Sequence, residues 1–429
     1  YSIDISSEKI NQLTEQVGFW TSPEVSADGR KIAYTGYPAS DITYEMPRAY
    51  VMNVDGSDAY LLMEKLDRPI NNMLWAGNNR GLYFSVEDQG YTNVLYTSLN
   101  GDIRSVTEGQ HTFTLSSMNR SSTIGVGTGA SFYKPGDIYS FALSGRGSPN
   151  QLTAINDDLM LNKVLGAHEE MWFEASDGNR SHGWLVKPPD FDPAKKYPLL
   201  MEIHGGPFAM YQGRFDFRYQ VFASNGFIVL YTNPRGSTGY GETFAQAIDH
   251  AYPSVDYLDL MGGVDAAIAK GHVDEKRMYV GGCSGGGVLS SWVIGHTDRF
   301  AAAAVRCPVT NWLSMAGTTD VPFFSHSFFK QPFWIDPSDW LKHSSLMYVG
   351  NVKTPTLIMT GEHDLRTPMA QSEEYFAALK MRGIPTRLLR FNDEYHGTGT
   401  KPSNYMRTML YMISWYNKYT KDDQSAAKK

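Results

Sequence analysis

The sequence has few cysteines: Cys283 and Cys307 are the only two among its 429 residues. Two cysteines cannot form the disulfide framework of a small secreted domain or a zinc site built from several thiolates. His204 has no histidine or carboxylate partner at metal-ligand spacing, so no metal site is expected. No other cofactor is expected either. Hydrophobic residues make up 42% of the chain, which is enough to fill a sizeable core.

The sequence also lacks a cluster of basic residues and a long hydrophobic run. Its formal net charge is −7 at pH 7, and nucleic acids or anionic membranes are bound by concentrated lysine and arginine, so neither partner is expected. No apolar run reaches the ~18 residues that a membrane span requires, so no membrane span is expected. The compartment stays open between the cytoplasm and a periplasmic or secreted location, and the oligomeric state stays open too, a homo-oligomer included.

Turn signals recur in the first third of the chain. Strand-like segments end in turn pairs at Asp55-Gly56, Asn100-Gly101 and Ser144-Gly145, which are 45 and then 44 residues apart. Asp-Gly and Asn-Gly form hairpin turns because both residues tolerate positive φ. A spacing of ~40–50 residues is typical of β-propeller blades. Residues 1–160 are therefore predicted to form a partial β-propeller of about three and a half blades; an ordinary β-sandwich with chance periodicity is the alternative.

The first residues of the chain resemble the outer half of a later blade. Residues 1–14 and 139–153 both end in Asn-Gln-Leu-Thr. Propellers have ~4–8 blades, and an open ring exposes strand edges. A companion N-terminal propeller segment of the same protein, about 150–250 residues long at ~40–50 residues per blade, is therefore expected.

The pattern changes in the remainder, and residues 161–429 are predicted to form a separate α/β domain. It opens with a hairpin around Asp177-Gly178. Apolar runs then alternate with helical patterns, which indicates a mostly parallel sheet covered on both faces. The predicted strands are 197–203, 228–231, 278–281, 301–305, 355–360 and 386–391, and the predicted helices are 215–225, 256–270, 286–295, 369–381 and 405–419. Such sheets carry their chemistry at the carboxyl ends of the strands.

A candidate nucleophile lies between one of these strands and the helix that follows it. The strand over 278–281 leads into Gly-Cys-Ser-Gly-Gly-Gly, and G-x-S-x-G between strand and helix is a sharp turn that exposes its serine. Ser284 is therefore the predicted nucleophile, and the N–H of Gly285 is a predicted oxyanion donor. Cys283 as nucleophile is the weaker alternative, because its side chain should turn toward the core. A phosphate-binding loop is weaker too, because no Lys-Ser/Thr pair follows.

The candidate acid and base follow two later strands. The α/β-hydrolase order along the chain is serine, aspartate, histidine. His396 would accept the proton of Ser284, and Asp364 would orient the imidazole and stabilise its charged form. Glu362 is the alternative acid and His363 the alternative base.

A second oxyanion donor is predicted after the strand over 197–203. Gly205 and Gly206 follow its end, and adjacent glycines let the backbone approach a substrate closely. Gly206 is the predicted donor, and His204 is expected to fix the loop.

Together these motifs resemble the prolyl oligopeptidase family of serine peptidases, in particular its acylaminoacyl-peptidase-like and dipeptidyl-peptidase-like branches. The resemblance covers nearly the whole chain and is dense in segments 204–207, 233–241, 282–287, 306–312, 364–368 and 396–397. It implies an N-terminal propeller followed by an α/β-hydrolase domain, a triad of Ser284, Asp364 and His396, and hydrolysis of short peptides. Relatives commonly carry an aromatic or polar residue after the nucleophile, whereas this sequence has Gly285.

The substrate pocket is predicted in an aromatic stretch between two strands, where a binding loop belongs. Its aromatic residues either line an apolar pocket for the residue before the cut bond or pack the core; the candidates are Trp312, Phe323, Phe324 and Phe328. The sequence leaves open whether free, acylated, dipeptidyl or carboxyl-terminal residues are removed. A carboxylesterase with the same triad and a catalytically silent propeller–hydrolase binding protein are the alternative functions.

Overall fold

The computed structural model of the protein describes residues 1–145 and 147–421. The chain divides into two compact units. The first consists of residues 1–163, 212–216 and 238–244, and the second of residues 164–211, 217–237 and 245–429. Two short segments from the later part of the chain thus group with the first unit. The division after residue 160 that the sequence predicts stays a prediction.

The first unit is built almost entirely from short strands. They are β1 (Ser2–Ile3), β2 (Ile10–Asn11), β3 (Gly18–Val25), β4 (Lys31–Pro38), β5 (Arg48–Asn53), β6 (Tyr60–Leu61), β7 (Ile70–Trp75), β8 (Gly81–Asp88), β9 (Tyr91–Ser98), β10 (Ile103–Ser105), β11 (Thr112–Phe113), β12 (Ser117–Met118), β13 (Ile124–Ser131), β14 (Lys134–Ala142) and β15 (Asn150–Gln151). One short helix, α1 (Asp157–Met160), follows them.

These strands pair as three successive antiparallel sets of four. The sets are β3 to β6, β7 to β10, and β12 to β15. Strand β11 joins the second set to the third, because it pairs with β9 on one side and with β13 on the other. Strands β1 and β2 form a separate pair.

The turns predicted from the repeat have the same backbone geometry in all three sets. Gly56, Gly101 and Gly145 have φ values of 91°, 86° and 77°. Each donates its N–H to the carbonyl oxygen three residues earlier, at 2.9 to 3.0 Å. Glycine adopts positive φ without steric cost, which is why the turn pairs end in this residue. The structure therefore confirms the three repeated turns.

The second unit contains eight strands and most of the helices. The strands are β16 (His168–Glu174), β17 (Arg180–Val186), β18 (Tyr197–Ile203), β19 (Ile228–Asn233), β20 (Val273–Cys283), β21 (Ala302–Arg306), β22 (Thr356–Gly361) and β23 (Thr386–Phe391). The α-helices are α2 (Phe217–Ser224), α3 (Glu242–Gln246), α4 (Asp256–Ala269), α5 (Gly285–His296), α6 (Trp312–Thr318), α7 (Pro322–Ser327), α8 (Ser338–Lys342), α9 (Met369–Met381) and α10 (Pro402–Tyr416), and a 3₁₀-helix covers Ser345–Asn351. The first three residues of α3 group with the first unit.

The eight strands form one mixed sheet in the order β16-β17-β19-β18-β20-β21-β22-β23. The six strands from β18 to β23 are parallel, and the hairpin of β16 and β17 is antiparallel to its neighbours. This confirms the predicted hairpin and the predicted mostly parallel sheet. Every residue of β19 and β21 is buried, as expected for parallel strands covered on both faces.

The parallel strands place four loops at one edge of the sheet. Strand β18 ends before His204, β20 ends before Ser284, β22 ends before Asp364, and β23 ends before His396. The carboxyl ends of parallel strands lie at the same edge, so the candidate residues come from loops that neighbour one another.

Candidate active site

Ser284 lies in a strained turn between β20 and α5. Its φ of 61° and ψ of −122° are unfavourable for a residue with a side chain. The Ser284 N–H donates to the carbonyl oxygen of Arg306 at 3.2 Å, and its own carbonyl accepts from the N–H of Val288 at 2.9 Å. Both neighbouring elements therefore hold the turn, and this strand–turn–helix geometry is that of a nucleophile elbow.

Gly286, two residues after Ser284, permits the close packing of this turn. A Cβ added to Gly286 would lie 2.1 Å from the carbonyl oxygen of Ile203 in β18. No side chain fits at that distance, so the start of α5 approaches the neighbouring strand only because residue 286 is glycine.

His396 and Asp364 form a direct pair. The Nδ1 of His396 lies 3.0 Å from Oδ2 and 3.1 Å from Oδ1 of Asp364. The carboxylate also accepts the backbone N–H groups of Arg366, at 3.0 Å, and Thr367, at 2.9 Å, and the Thr367 hydroxyl at 3.0 Å. The Asp364 side chain is fully buried, whereas the His396 side chain is 34% exposed. The carboxylate is therefore fixed in place, and the imidazole beside it is accessible.

The alternative acid and base have other partners. Glu362 forms an ion pair with Arg390 at 3.3 Å. The ring of His363 contacts the ring of Tyr395, with centroids 5.7 Å apart. The sulfur of Cys283, the alternative nucleophile, lies 2.8 Å from the sulfur of Cys307.

The two predicted oxyanion donors lie against each other. A Cβ added to Gly285 would lie 2.9 Å from the backbone nitrogen of Gly206 and 3.0 Å from the hydroxyl of Tyr252. That hydroxyl donates to the Gly285 carbonyl oxygen at 3.1 Å. Gly206 has a φ of 124°, which favours glycine. The two backbone segments thus meet beside the Ser284 turn.

His204 ties down the loop that contains Gly206. Its Nδ1 lies 2.7 Å from the carbonyl oxygen of Gly205, and its Nε2 lies 3.0 Å from the Ser237 hydroxyl. Burial lowers the pKa of His204, which favours the neutral ring. These contacts agree with the structural role expected for this histidine.

A cavity of about 260 Å³ adjoins these residues. Ser284, His396, Gly206 and Gly285 all line it. Its remaining wall is largely apolar and includes the side chains of Val288, Val309, Trp312, Met315, Val321 and Phe324. The nucleophile candidate and the base candidate therefore face one common space with an apolar wall.

The four aromatic candidates for a pocket fall into different environments. Trp312 and Phe324 line the cavity. Phe328 is fully buried behind it, with its ring centroid 5.5 Å from that of Trp312 and 5.1 Å from that of Tyr252. Phe323 is 88% exposed and is not brought to the cavity. The aromatic stretch thus contributes both to the cavity wall and to the core.

Comparison with known proteins assigns the family. The model of the prolyl oligopeptidase family matches residues 213–423, a segment that includes Ser284, Asp364 and His396. Residues 213–423 form a prolyl oligopeptidase family domain. The family predicted from the sequence motifs is thereby confirmed.

Several peptidases are similar to the chain. The uncharacterized peptidase YuxL of Bacillus subtilis is 35% identical over 81% of this chain and 53% of its own length. Dipeptidyl-peptidase 5 of Porphyromonas gingivalis is 28% identical over 98% of this chain and 62% of its own length. The structure of the Pyrococcus horikoshii acylaminoacyl peptidase superposes with a TM-score of 0.83 at 24% identity, covering 92% of this chain and 63% of that one. The chain thus spans between half and two thirds of these relatives.

Sequence reasoning missed two contributors to the site in this prolyl oligopeptidase family domain. Thr367 binds the carboxylate of Asp364 through both its N–H and its hydroxyl. A threonine three residues after an aspartate is a signal for such a local hydrogen bond. Tyr252 lines the cavity from a loop before α4, and no local motif marks it.

Across residues 1–145 and 147–421, no group of three or more histidine, cysteine or carboxylate side chains is placed to hold a metal ion. Within the same part of the chain, no helix combines the length and the apolar character needed to cross a membrane.

Proposed function

We propose that the protein is a serine peptidase that hydrolyses short peptides, with Ser284 as nucleophile, His396 as general base and Asp364 as the residue that orients the base. The observation that carries this proposal is the His396–Asp364 pair, 3.0 Å apart, beside a cavity that Ser284 also lines. The strained turn at Ser284 supports it, because such a turn presents the hydroxyl at the end of a strand.

Each residue has a defined step in the proposed reaction. His396 takes the Ser284 proton as the hydroxyl oxygen attacks the substrate carbonyl, and it later delivers that proton to the leaving amine. Asp364 stays ionised and stabilises the imidazolium. Its two backbone N–H bonds and one hydroxyl bond hold the carboxylate in position beside His396. Water then repeats the sequence on the acyl-enzyme.

The N–H groups of Gly285 and Gly206 are the proposed oxyanion donors. Charge that develops on the carbonyl oxygen needs donors that are already in place. The close approach of Gly206 to Gly285 puts both backbone segments beside Ser284. Removing one such donor typically lowers kcat by about 10²–10³-fold.

The apolar wall of the cavity points to an apolar residue before the cut bond. Valine, methionine, tryptophan and phenylalanine side chains would surround the substrate side chain there. Burying a Leu or Phe side chain contributes about 1.5–3 kcal/mol. A peptide with leucine or phenylalanine at this position is therefore expected to be cleaved about 10- to 100-fold more efficiently than one with alanine.

We also propose that residues 1–160 are part of a β-propeller and that residues 161–429 are an α/β-hydrolase domain. The three antiparallel sets of four strands support the first assignment, because blades are four-stranded sheets. The mixed sheet and the Ser284 turn support the second. Short peptides are the proposed substrates, so folded proteins should resist cleavage.

Labelling with a fluorophosphonate tests the nucleophile. The wild-type protein should be labelled and should cleave short peptides. Ser284→Ala should not be labelled and should lose several orders of magnitude in kcat. Ser338→Ala, an exposed serine at the start of α8, is the matched control and should behave like wild type.

The same preparations distinguish the alternatives. Turnover of esters without turnover of blocked or unblocked peptides would indicate a carboxylesterase. A folded wild-type protein that is not labelled would indicate a silent binding protein. Substantial peptidase activity in folded Ser284→Ala would contradict the assignment of the nucleophile.

A further inference from the structure

The two cysteines of the chain lie side by side directly behind the Ser284 turn. Cys283 is the last residue of β20, and its register partner in β21 is Arg306. Cys307 is therefore one residue beyond that partner on the neighbouring strand. Strands lie ~4.8 Å apart and rise ~3.3 Å per residue, which puts the two Cα atoms about 5.8 Å apart. Disulfides span Cα distances of ~4.4–6.8 Å.

The sulfur atoms already meet in the reduced protein. Both cysteines are free, and their Sγ atoms are 2.8 Å apart. Cys283 is partly exposed and Cys307 is buried. Since the sequence has no third cysteine, neither thiol has a competing partner within the chain. A reagent from solution would therefore meet Cys283 first, with Cys307 placed to respond.

We propose that Cys283 and Cys307 are a redox modification site: a disulfide oxidant converts them into an intramolecular disulfide, and this disulfide reversibly disables Ser284. The Cys283 thiolate attacks one sulfur of the oxidant RSSR and releases RS⁻, leaving a mixed disulfide. The Cys307 thiolate then attacks the Cys283 sulfur and releases the second RS⁻. Two thiol protons pass to the two leaving thiolates, and the oxidant is reduced to two RSH.

The assignment of steps follows the environments of the two thiols. The contact with Cys283 and burial together raise the pKa of the Cys307 thiol well above its usual range. Cys307 is thus a poor first nucleophile toward a reagent in bulk water. As the second thiol it needs no encounter in solution, because its target sulfur is its immediate neighbour.

The disulfide would act on Ser284 from both sides of the turn. Cys283 is bonded to Ser284, and Cys307 is bonded to Arg306, whose carbonyl accepts the Ser284 N–H at 3.2 Å. Closing the sulfur distance from 2.8 Å to the ~2.05 Å of a disulfide moves these backbones by up to about 0.8 Å. A misplacement of ~1 Å at a catalytic group can lower the rate by about 100-fold. We therefore expect kcat to fall by about 10- to 100-fold.

The effect on activity rests on the proposed function, whereas formation of the disulfide does not. The two are therefore measured separately. The protein is incubated with oxidised glutathione, denatured, alkylated and digested with trypsin. The disulfide appears as a cross-link between peptides 278–299 and 307–330, each of which contains one cysteine. Hydrolysis of a short peptide is followed in the same samples.

The expected result is a cross-linked pair of peptides, a loss of about 10-fold or more in kcat, and recovery of both after treatment with dithiothreitol. Cys307→Ser should form no cross-link and should instead retain glutathione on Cys283, because the thiol that would displace it is missing. Ser284→Ala should still form the cross-link, so a failure of the proposed function would not hide the thiol chemistry. The wild-type digest alone decides the matter if Cys307→Ser does not fold.

Three outcomes would overturn the proposal. The first is a wild-type protein that stays reduced in excess oxidised glutathione. The second is a protein with glutathione on Cys283 and no cross-link to Cys307. The third is a cross-linked protein that retains full kcat.

Discussion

Asp256 is a buried carboxyl group whose ionisation should weaken the folded protein. It is the first residue of α4 and is 1% exposed. One carboxyl oxygen accepts the N–H groups of Ser254, at 2.6 Å, and Tyr257, at 2.9 Å. Within the described residues, the other oxygen has no hydrogen-bond partner. Burial raises the pKa of Asp256 to about 7.

The size and sign of the effect follow from proton linkage. An unfolded chain releases the Asp256 proton near pH 4, whereas the folded protein keeps it until about pH 7. The folded state therefore binds more protons across this window, and its stability falls as the pH rises. Between pH 5 and pH 8 the loss amounts to about 2–3 kcal/mol. Above pH 8 this contribution becomes constant.

Asp256→Asn isolates this contribution. The amide oxygen can still accept the two backbone N–H groups, and the side chain has no charge to bury. Urea unfolding, followed by tryptophan fluorescence, would give the free energy of unfolding of both proteins at pH 5 and pH 8. We expect the variant to gain about 2–3 kcal/mol relative to wild type on going from pH 5 to pH 8.

A control on the same helix separates burial from helix position. Asp265 lies in α4 with its side chain 66% exposed, and Asp265→Asn should show almost no such gain. If Asp256→Asn and wild type kept the same difference in stability at both pH values, within about 0.5 kcal/mol, the argument from desolvation would be refuted.

Three further predictions concern packing around the site. Gly286→Ala should yield little folded protein on expression because its Cβ would meet a backbone carbonyl oxygen at 2.1 Å, whereas Gly317→Ala, with no atom near its Cβ, should express normally. Phe324→Ala should lower kcat/KM for substrates with a large apolar residue before the cut bond by about 10-fold or more, and Phe323→Ala should leave it unchanged in a panel of such peptides. Glu202→Ala should cost about 3–5 kcal/mol in urea unfolding, because it leaves a buried arginine without its partner.

Much of the second unit is predictable from local sequence patterns. The strands over 197–203 and 386–391 and the helix over 369–381 have the same bounds in the structure as in the sequence prediction. In each case the hydrophobic residues follow a pattern typical of a strand or of a helix, and turn residues lie on both sides of the segment. The candidate nucleophile, acid and base follow from the same reasoning, because each comes directly after a strand.

The region between β21 and β22 was not predictable in the same way. It contains α6, α7, α8 and a 3₁₀-helix, each only five to seven residues long. Helices this short gain little from intrinsic propensity and form because tertiary contacts hold them. The start of strand β20 was not predictable either. The strand begins at Val273, five residues earlier than predicted, because Val273 pairs with Tyr197 in β18.

Phe323 and Phe324 show why a residue's role can be invisible in the sequence. Both are phenylalanines in the same aromatic stretch, and composition cannot separate them. They lie on the short helix α7, where successive side chains point about 100° apart. One side chain therefore lines the cavity and the other faces solvent. The orientation of α7 against the rest of the domain decides which of the two side chains lines the cavity.

Gly285 differs from the residue type that the resemblance leads one to expect after the nucleophile. This difference is visible in the sequence, but its structural reason lies in another part of the fold. The resemblance leads one to expect an aromatic or polar side chain after the nucleophile, but a Cβ there would lie 3.0 Å from the Tyr252 hydroxyl. That hydroxyl donates to the Gly285 carbonyl, and its ring lines the cavity. A residue from the loop before α4 thus occupies the space beside the turn. Gly285 and Tyr252 pack against each other, and the role of neither residue can be deduced from its neighbours in the sequence.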